Sequence, residues 1–206
     1  MKDSLLKTGL CGVLLGLALT GCATKYDYAN YQQHFPRSIL ILPPLNETTD
    51  VNATYGYLST VTMPIAEMGY YVYPVVVVDH FFKENGMPTP GEMHQAPLKK
   101  IYEIMGADAV LYITLKQYGS KYLIIGSTTC VEARGKLVDT RTETVLWEGT
   151  VMAQQGSAGL LEALVDQIIS QATDAAHKVA ITANQQYAVQ GKGLLYGPRS
   201  PKCQKE

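Results

Sequence analysis

Residues 1–22 constrain this chain more than any later stretch. Lys2 and Lys7 flank the first few residues with positive charge, and an apolar run follows from Gly9 to Leu19. A helix needs about 20 apolar residues to cross a bilayer, so this run is too short to span. Its length suits the central segment of a secretory signal, typically about 7–15 residues. The run closes on Leu19-Thr20-Gly21-Cys22. Small residues ahead of a cut fit a signal peptidase, and only cysteine offers a thiol for a thioether-linked diacylglycerol. An ordinary signal with a chance cysteine, or a short membrane anchor, would not require position, run length and pattern to agree.

Leu19-Thr20-Gly21-Cys22 resembles the lipobox of bacterial lipoprotein precursors. That likeness implies removal of residues 1–21 and a lipid on Cys22, with no other cofactor. Each buried CH₂ contributes about 0.8 kcal/mol, and stable anchoring takes more than one acyl chain. Ala23 stands where an aspartate would retain such a protein in the inner membrane under enterobacterial-type sorting. The expectation is a lipid-anchored outer-membrane protein whose domain faces the periplasm.

Removing the signal leaves 185 of the 206 residues, enough for one domain with a real core. The signal carries two Lys and one Asp, so the mature chain has 15 Lys+Arg against 17 Asp+Glu. No basic surplus exists to neutralise phosphates, which argues against nucleic acid as a partner. Of the four cysteines, Cys11 leaves with the signal and Cys22 takes the lipid. Cys130 and Cys203 remain in an oxidising compartment, where a leftover pair most often forms one disulfide. No further ligands sit close enough to either to suggest a metal.

Along the mature chain, residues 22–36 read as lipid anchor and tether, residues 37–185 as the domain, and residues 186–206 as a C-terminal tail. Ser38 to Leu42 is a buried-strand run stopped by Pro43-Pro44. From Val51 to Met68, the residues Tyr55, Leu58, Val61, Ile65 and Met68 recur at helical spacing up to Gly69, with Pro64 inside. Tyr70 to Pro74 predicts a strand. Val75 to Asn85 fits either strand or short helix, and Met87 to Gly91 reads as a loop. Leu98 to Met105 predicts a helix, Ala109 to Leu115 and Tyr122 to Leu137 strands, and Thr144 to Gln154 a strand joined through the Asp139–Thr142 turn. A long helix follows, capped by Ser157 or Gly159, with the stripe Leu161, Leu164, Val165, Ile168, Ala172, Ala175 and Val179. Alternation followed by antiparallel pairing predicts an α/β fold, a mixed β-sheet with helices packed on it.

Ile39-Leu40-Ile41-Leu42-Pro43-Pro44, the helix ending Met68-Gly69, Tyr70-Tyr71-Val72-Tyr73-Pro74 and Met105-Gly106-Ala107-Asp108-Ala109 together resemble a family of small bacterial lipoproteins of unknown function. Its neisserial members were picked as surface-antigen candidates. The likeness covers essentially the whole chain. More distantly, the same order is similar to the N-terminal domain of TolB, to the secretion-channel lipoprotein CsgG and to the synthase-activating lipoprotein LpoB. The resemblance implies a two- or three-layer sandwich and a role in envelope assembly or transport beside a CsgG-like lipoprotein. It brings no catalytic residues. The tether is shorter than LpoB's linker, and the long amphipathic hairpins of the CsgG barrel are not evident.

The residues offer little assembled chemistry. Asp79-His80 is the one acid–base neighbour pair among His34, His80, His94 and His177, and adjacent residues on one element point apart. No nucleophile elbow, zinc-binding helix or phosphate loop is present. Glu103 and Asp108 read as surface carboxylates, and Gly156 to Gly159 as a flexible helix entry. The leading expectation is a non-catalytic lipoprotein acting through protein–protein contact in envelope assembly or transport. A regulator of peptidoglycan synthesis is the first rival and an unrecognised hydrolase the second. In the tail, Tyr187, Leu194, Leu195 and Tyr196 either fold back on the domain or form a contact surface for a partner, a homodimer being the simplest case.

Overall fold

The structure, a computed structural model, describes residues 26–122, 127–157 and 172–203. Cys22 and the stripe positions Leu161, Leu164, Val165 and Ile168 lie outside them.

The chain enters through helix α1 (Ala29–His34) and continues into strand β1 (Ser38–Ile41), the two-residue β2 (Leu45–Asn46), helix α2 (Ala53–Glu67) and β3 (Tyr71–Val72). Three helices follow: α3 (Val75–Glu84), α4 (Pro90–Met93) and α5 (Leu98–Met105). Three long strands, β4 (Ala109–Tyr122), β5 (Ser127–Asp139) and β6 (Val145–Ser157), lead to helix α6 (Ala172–Asn184) and a 3₁₀ turn, Gln185–Ala188. The sheet order is β3-β1-β4-β5-β6, with β2 also pairing β4. β1 runs parallel to β3 and β4, and the β4-β5-β6 pairs are antiparallel. The mixed α/β sheet expected from the sequence is therefore present.

Two cores follow from the strand period of two. Ile39, Ile41, Leu111, Ile113, Leu137 and Trp147 point to one face, under α2 and α6. Leu40, Leu42 and Val110 point to the other, under Val78 and Phe82 of α3 and Ile101 of α5. Strand β1 is buried at all four positions because helices cover both its sides. Among the described residues no helix covers the other face of β5, and there Glu132, Arg134 and Lys136 alternate with buried Val131, Ala133 and Leu137.

Several elements differ from the sequence expectation, each for a physical reason. Val75–Glu84 resolves as helix: Val78 and Phe82, four apart, make one buried contact line, and β-branched content does not outweigh it. On α2, Tyr57 is fully buried while Tyr55 stays half exposed, reaching Asp79 Oδ1 of α3 at 3.2 Å. The expected loop at residues 87–91 contains a capping box, in which the Thr89 side chain accepts from Glu92 N–H and Glu92 reaches back to Thr89 N–H. Ser157 is the last residue of β6, and the other expected cap, Gly159, lies outside the described residues.

The tether boundary at residue 36 also moves. Tyr31 is completely buried, and its hydroxyl lies 2.6 Å from that of Tyr70, which donates to Leu195 O at 2.6 Å. Tyr28 donates to Gly193 O at 2.6 Å. Residues 26–36 are thus part of the domain, because the tyrosines join apolar burial to a polar tip that satisfies tail carbonyls.

Candidate docking groove

Helices α2 and α6 pack side by side on the same sheet face, and their flanks do not close completely. On α2, Thr60, Met63, Pro64 and Glu67 form a stripe at three- and four-residue spacing. On α6 and the turn after it, His177, Ile181 and Gln185 form another. The tail supplies the third wall with Tyr196 and Lys202, and Met68 and Ala188 also contribute to the lining. The groove encloses about 420 Å³, within the range of sites that hold small ligands or side chains. Its lips are apolar: Met63 is 67% and Ile181 42% exposed. Glu67, His177 and Lys202 place charge of both signs among them, and Lys202 Nζ lies 5.4 Å from the centre of the Tyr196 ring.

Pro64 does not break α2, which runs on to Glu67. Behind the groove, Asn184 Nδ2 donates to Thr60 Oγ1 at 2.9 Å, and Asn184 is fully buried. This buried polar pair fixes the two helices against each other at the level of Thr60.

The tail takes the fold-back arrangement. Tyr187 is fully buried with its ring 5.6 Å from Trp147, and Leu194 is 4% exposed in the main core. Trp147 Nε1–H donates to Lys192 O at 2.8 Å, and Leu194 N–H to Tyr187 O at 2.7 Å. Tyr187 and Leu194 are therefore core residues, unavailable to a partner. Leu195 and Tyr196 are partly buried, and of the four only Tyr196 lines the groove.

Cys130 and Cys203 are not bonded to each other. Cys130 is an even-numbered position of β5, on the face opposite the buried Val131 and Ala133. Cys203 follows the tail past Gly69, where Arg199 N–H donates to Gly69 O at 3.2 Å, beside the β3 edge. In the order β3-β1-β4-β5, two strands lie between the edge that this part of the tail approaches and the strand that carries Cys130.

Among the described residues, the charged cluster at the start of β1 and the end of β5 is the nearest approach to an acid–base site. Asp139 is fully buried; its Oδ1 accepts from Arg141 N–H, Thr142 N–H and Thr142 Oγ1 at 2.9–3.0 Å. Burial pushes its carboxyl up, but these hydrogen bonds and the Arg141 charge outweigh burial and hold it below the usual value. His34 Nδ1 stands 3.9 Å from Asp139 Oδ2, too far for a hydrogen bond. Asp108, expected as a plain surface carboxylate, instead accepts from Arg37 N–H, Ser38 N–H and Ser38 Oγ through Oδ2. Ser38, the nearby hydroxyl, is buried and committed to Asp108, whose N–H it also accepts. The cluster ties β1, β4 and the β5–β6 turn together and presents no nucleophile to a histidine. His94 packs on Tyr112 with Nε2 2.9 Å from Pro43 O, and burial lowers its pKa. Asp79 pairs with Lys83 at 2.6 Å, so Asp79-His80 forms no dyad.

Sequence reasoning missed Met63, Pro64, His177 and Ile181. Met63 and Ile181 were legible only as apolar residues off the buried stripe of their helices, a signal that single exposed apolar residues also produce.

The comparisons agree with this architecture. The family model "Putative lipoprotein GNA1162-like" matches residues 26–199. The putative lipoprotein NMB1124/NMB1162 of Neisseria meningitidis serogroup B is 40% identical over 208 residues, covering 94% of this chain and 97% of the relative. The crystal structure of lipoprotein GNA1162 from Neisseria meningitidis superposes with a TM-score of 0.56 at 43% identity, covering 68% of this chain and 99% of that one. The C-terminal domain of LpoB from Salmonella enterica gives a TM-score of 0.41 at 18% identity, covering 59% and 85% of the two chains, too low to bear on function. Match length, identity and shared fold together place this chain in the GNA1162-like lipoprotein family.

Proposed function

We propose that the protein is a non-catalytic outer-membrane lipoprotein that works through protein–protein contact in envelope assembly or transport, with the α2–α6 groove as its contact site. The observation that carries this reading is the groove itself, a three-walled apolar trough with exposed Met63 and Ile181 at its lips. Its dimensions and mixed rim charges suit apolar side chains projecting from one edge of a partner's helix. The lipobox and Ala23 support the location, and family membership supports the lipoprotein class. The buried, committed Ser38 and the long His34–Asp139 separation weigh against the hydrolase reading. A CsgG-like lipoprotein or a second copy of the chain would be such a partner.

The test is a photo-crosslinking residue at position 63, activated in the intact envelope, with Val77 on α3 as the comparison site. The expected result is a discrete protein adduct from position 63, absent from position 77, and lost when Ile181→Asp is added without a change in melting temperature. An adduct identified as a peptidoglycan synthase would favour the regulator reading. Equal adducts from both positions, or no effect of Ile181→Asp, would overturn the groove as the contact site.

A further inference from the structure

The first described residue, Tyr26, is already fastened to the domain. Its N–H donates to Gly191 O at 3.4 Å, and its hydroxyl accepts from Glu148 N–H of the edge strand β6 at 3.0 Å. Its ring stacks obliquely on Tyr28 at 4.9 Å, and Tyr28 is tied to Gly193. Cys22 precedes Tyr26 by four positions in the sequence. Even fully extended, four residues reach only about 14 Å. A domain of this length is roughly 40 Å across. With a lipid on Cys22, the link is too short for the domain to turn over, and the face around Tyr26 must stay toward the bilayer.

That face can be named. Gly191 belongs to a tight turn in which Lys192 N–H and Gly193 N–H both donate to Val189 O. Val189 is 45% exposed there, and Lys192 is exposed beside it. The 3₁₀ turn just before it, Gln185–Ala188, reaches β6, where the Gln186 side chain accepts from Met152 N–H at 3.2 Å and donates to Met152 O at 2.5 Å. Gln186 and Tyr26 thereby occupy outward-facing backbone groups of β6 at Met152 and Glu148, which blunts this edge against strand addition. Asp27 and Glu148 are also exposed on this side, so the contact is imposed by the short link and not by attraction to anionic headgroups. We infer that the domain is held flat against the bilayer surface through the Val189–Lys192 turn and the Tyr26 edge of β6, with α3 and its exposed Val76 and Val77 directed away from the membrane. This rests on the lipidation of Cys22 in the proposed function.

The test uses the full mature lipoprotein in phosphatidylcholine vesicles containing a nitroxide-headgroup lipid. A fluorophore is placed on Val189→Cys or on Val77→Cys, each in a background of Cys130→Ser and Cys203→Ser. The expected result is severalfold stronger quenching at position 189 than at 77. Inserting about twenty Gly/Ser residues after Thr24, long enough to free the domain, should remove most of that difference. Equal quenching at the two positions with the native link, or stronger quenching at 77, would overturn the orientation. The acyl mass on the Cys22 peptide is read from the same samples. Its absence would sink the lipoprotein reading itself, whereas lipid present with equal quenching would sink the orientation alone.

Discussion

Asp139 shows how one residue closes the β5–β6 turn. A buried carboxylate is costly unless its oxygens are satisfied, and three donors from Arg141 and Thr142 meet Oδ1. Its folded pKa lies below the ordinary value, so its contribution is full above the unfolded value near pH 4 and fades as pH falls through the folded one. Asp139→Asn should cost about 1–3 kcal/mol at neutral pH. It should also flatten the loss of stability below about pH 4, as followed by urea unfolding across pH. An unchanged acid limb would show that other carboxylates carry it. The buried tyrosines give the opposite limb. Burial raises Tyr31, Tyr57 and Tyr70 and pushes Tyr187 up to about 12. These groups stay protonated in the folded state above pH 10 while the unfolded chain loses its protons, so stability is full below about pH 10 and declines above it. Phenolate absorbance and far-ultraviolet circular dichroism should therefore show the late tyrosines ionising only as the fold is lost. Full titration of all tyrosines in a still-folded protein would contradict their burial.

At the scale of elements, the tail behaves as part of the core. Leu194→Ala should cost about 2–5 kcal/mol of stability and leave the molar mass of the soluble domain unchanged, as read by thermal melting and light scattering. A fall in mass with stability retained would mean that Leu194 faces a partner. Gly135 on β5 makes a companion case. An added Cβ would sit 2.9 Å from the Trp147 ring and 3.1 Å from the Tyr187 hydroxyl, so Gly135→Ala should destabilise by about 1–3 kcal/mol through overpacking. The continuous apolar run at Ser38–Ile41 stopped by Pro43-Pro44, the αL glycine at Gly106 ending α5 and the Asp139 turn were legible because local composition and backbone rules mark them. The Val75–Glu84 helix was ambiguous because its two buried residues gain their cover from residues distant in sequence, among them Leu40 and Leu42 of β1 and Val110 of β4, a tertiary effect. The groove was least legible. Met63 and Ile181 belong to helices remote in sequence, and only the packing of α6 beside α2 brings their flanks together. The fate of Tyr187 and Leu194 was open for the same reason, since an apolar tail looks alike whether it covers its own core or a neighbour's.

For the whole molecule, the arrangement divides the surface by role. Helices α2 and α6 carry the groove on one sheet face, α3 to α5 shield the other, and the entry segment is bound to the tail and to the β6 edge. An envelope protein built this way would place its contact site at a fixed height above the bilayer, since so few residues separate Cys22 from the folded domain. Everything in that picture depends on the lipid at Cys22. The most direct measurement is mass spectrometry of the N-terminal peptide from protein extracted from membranes, paired with labelled fatty acid incorporation into wild type and Cys22→Ala. The account predicts a peptide that begins at Cys22 and bears acyl chains, with no label in the variant. An unacylated N-terminus in the wild type, or label retained by Cys22→Ala, would contradict it.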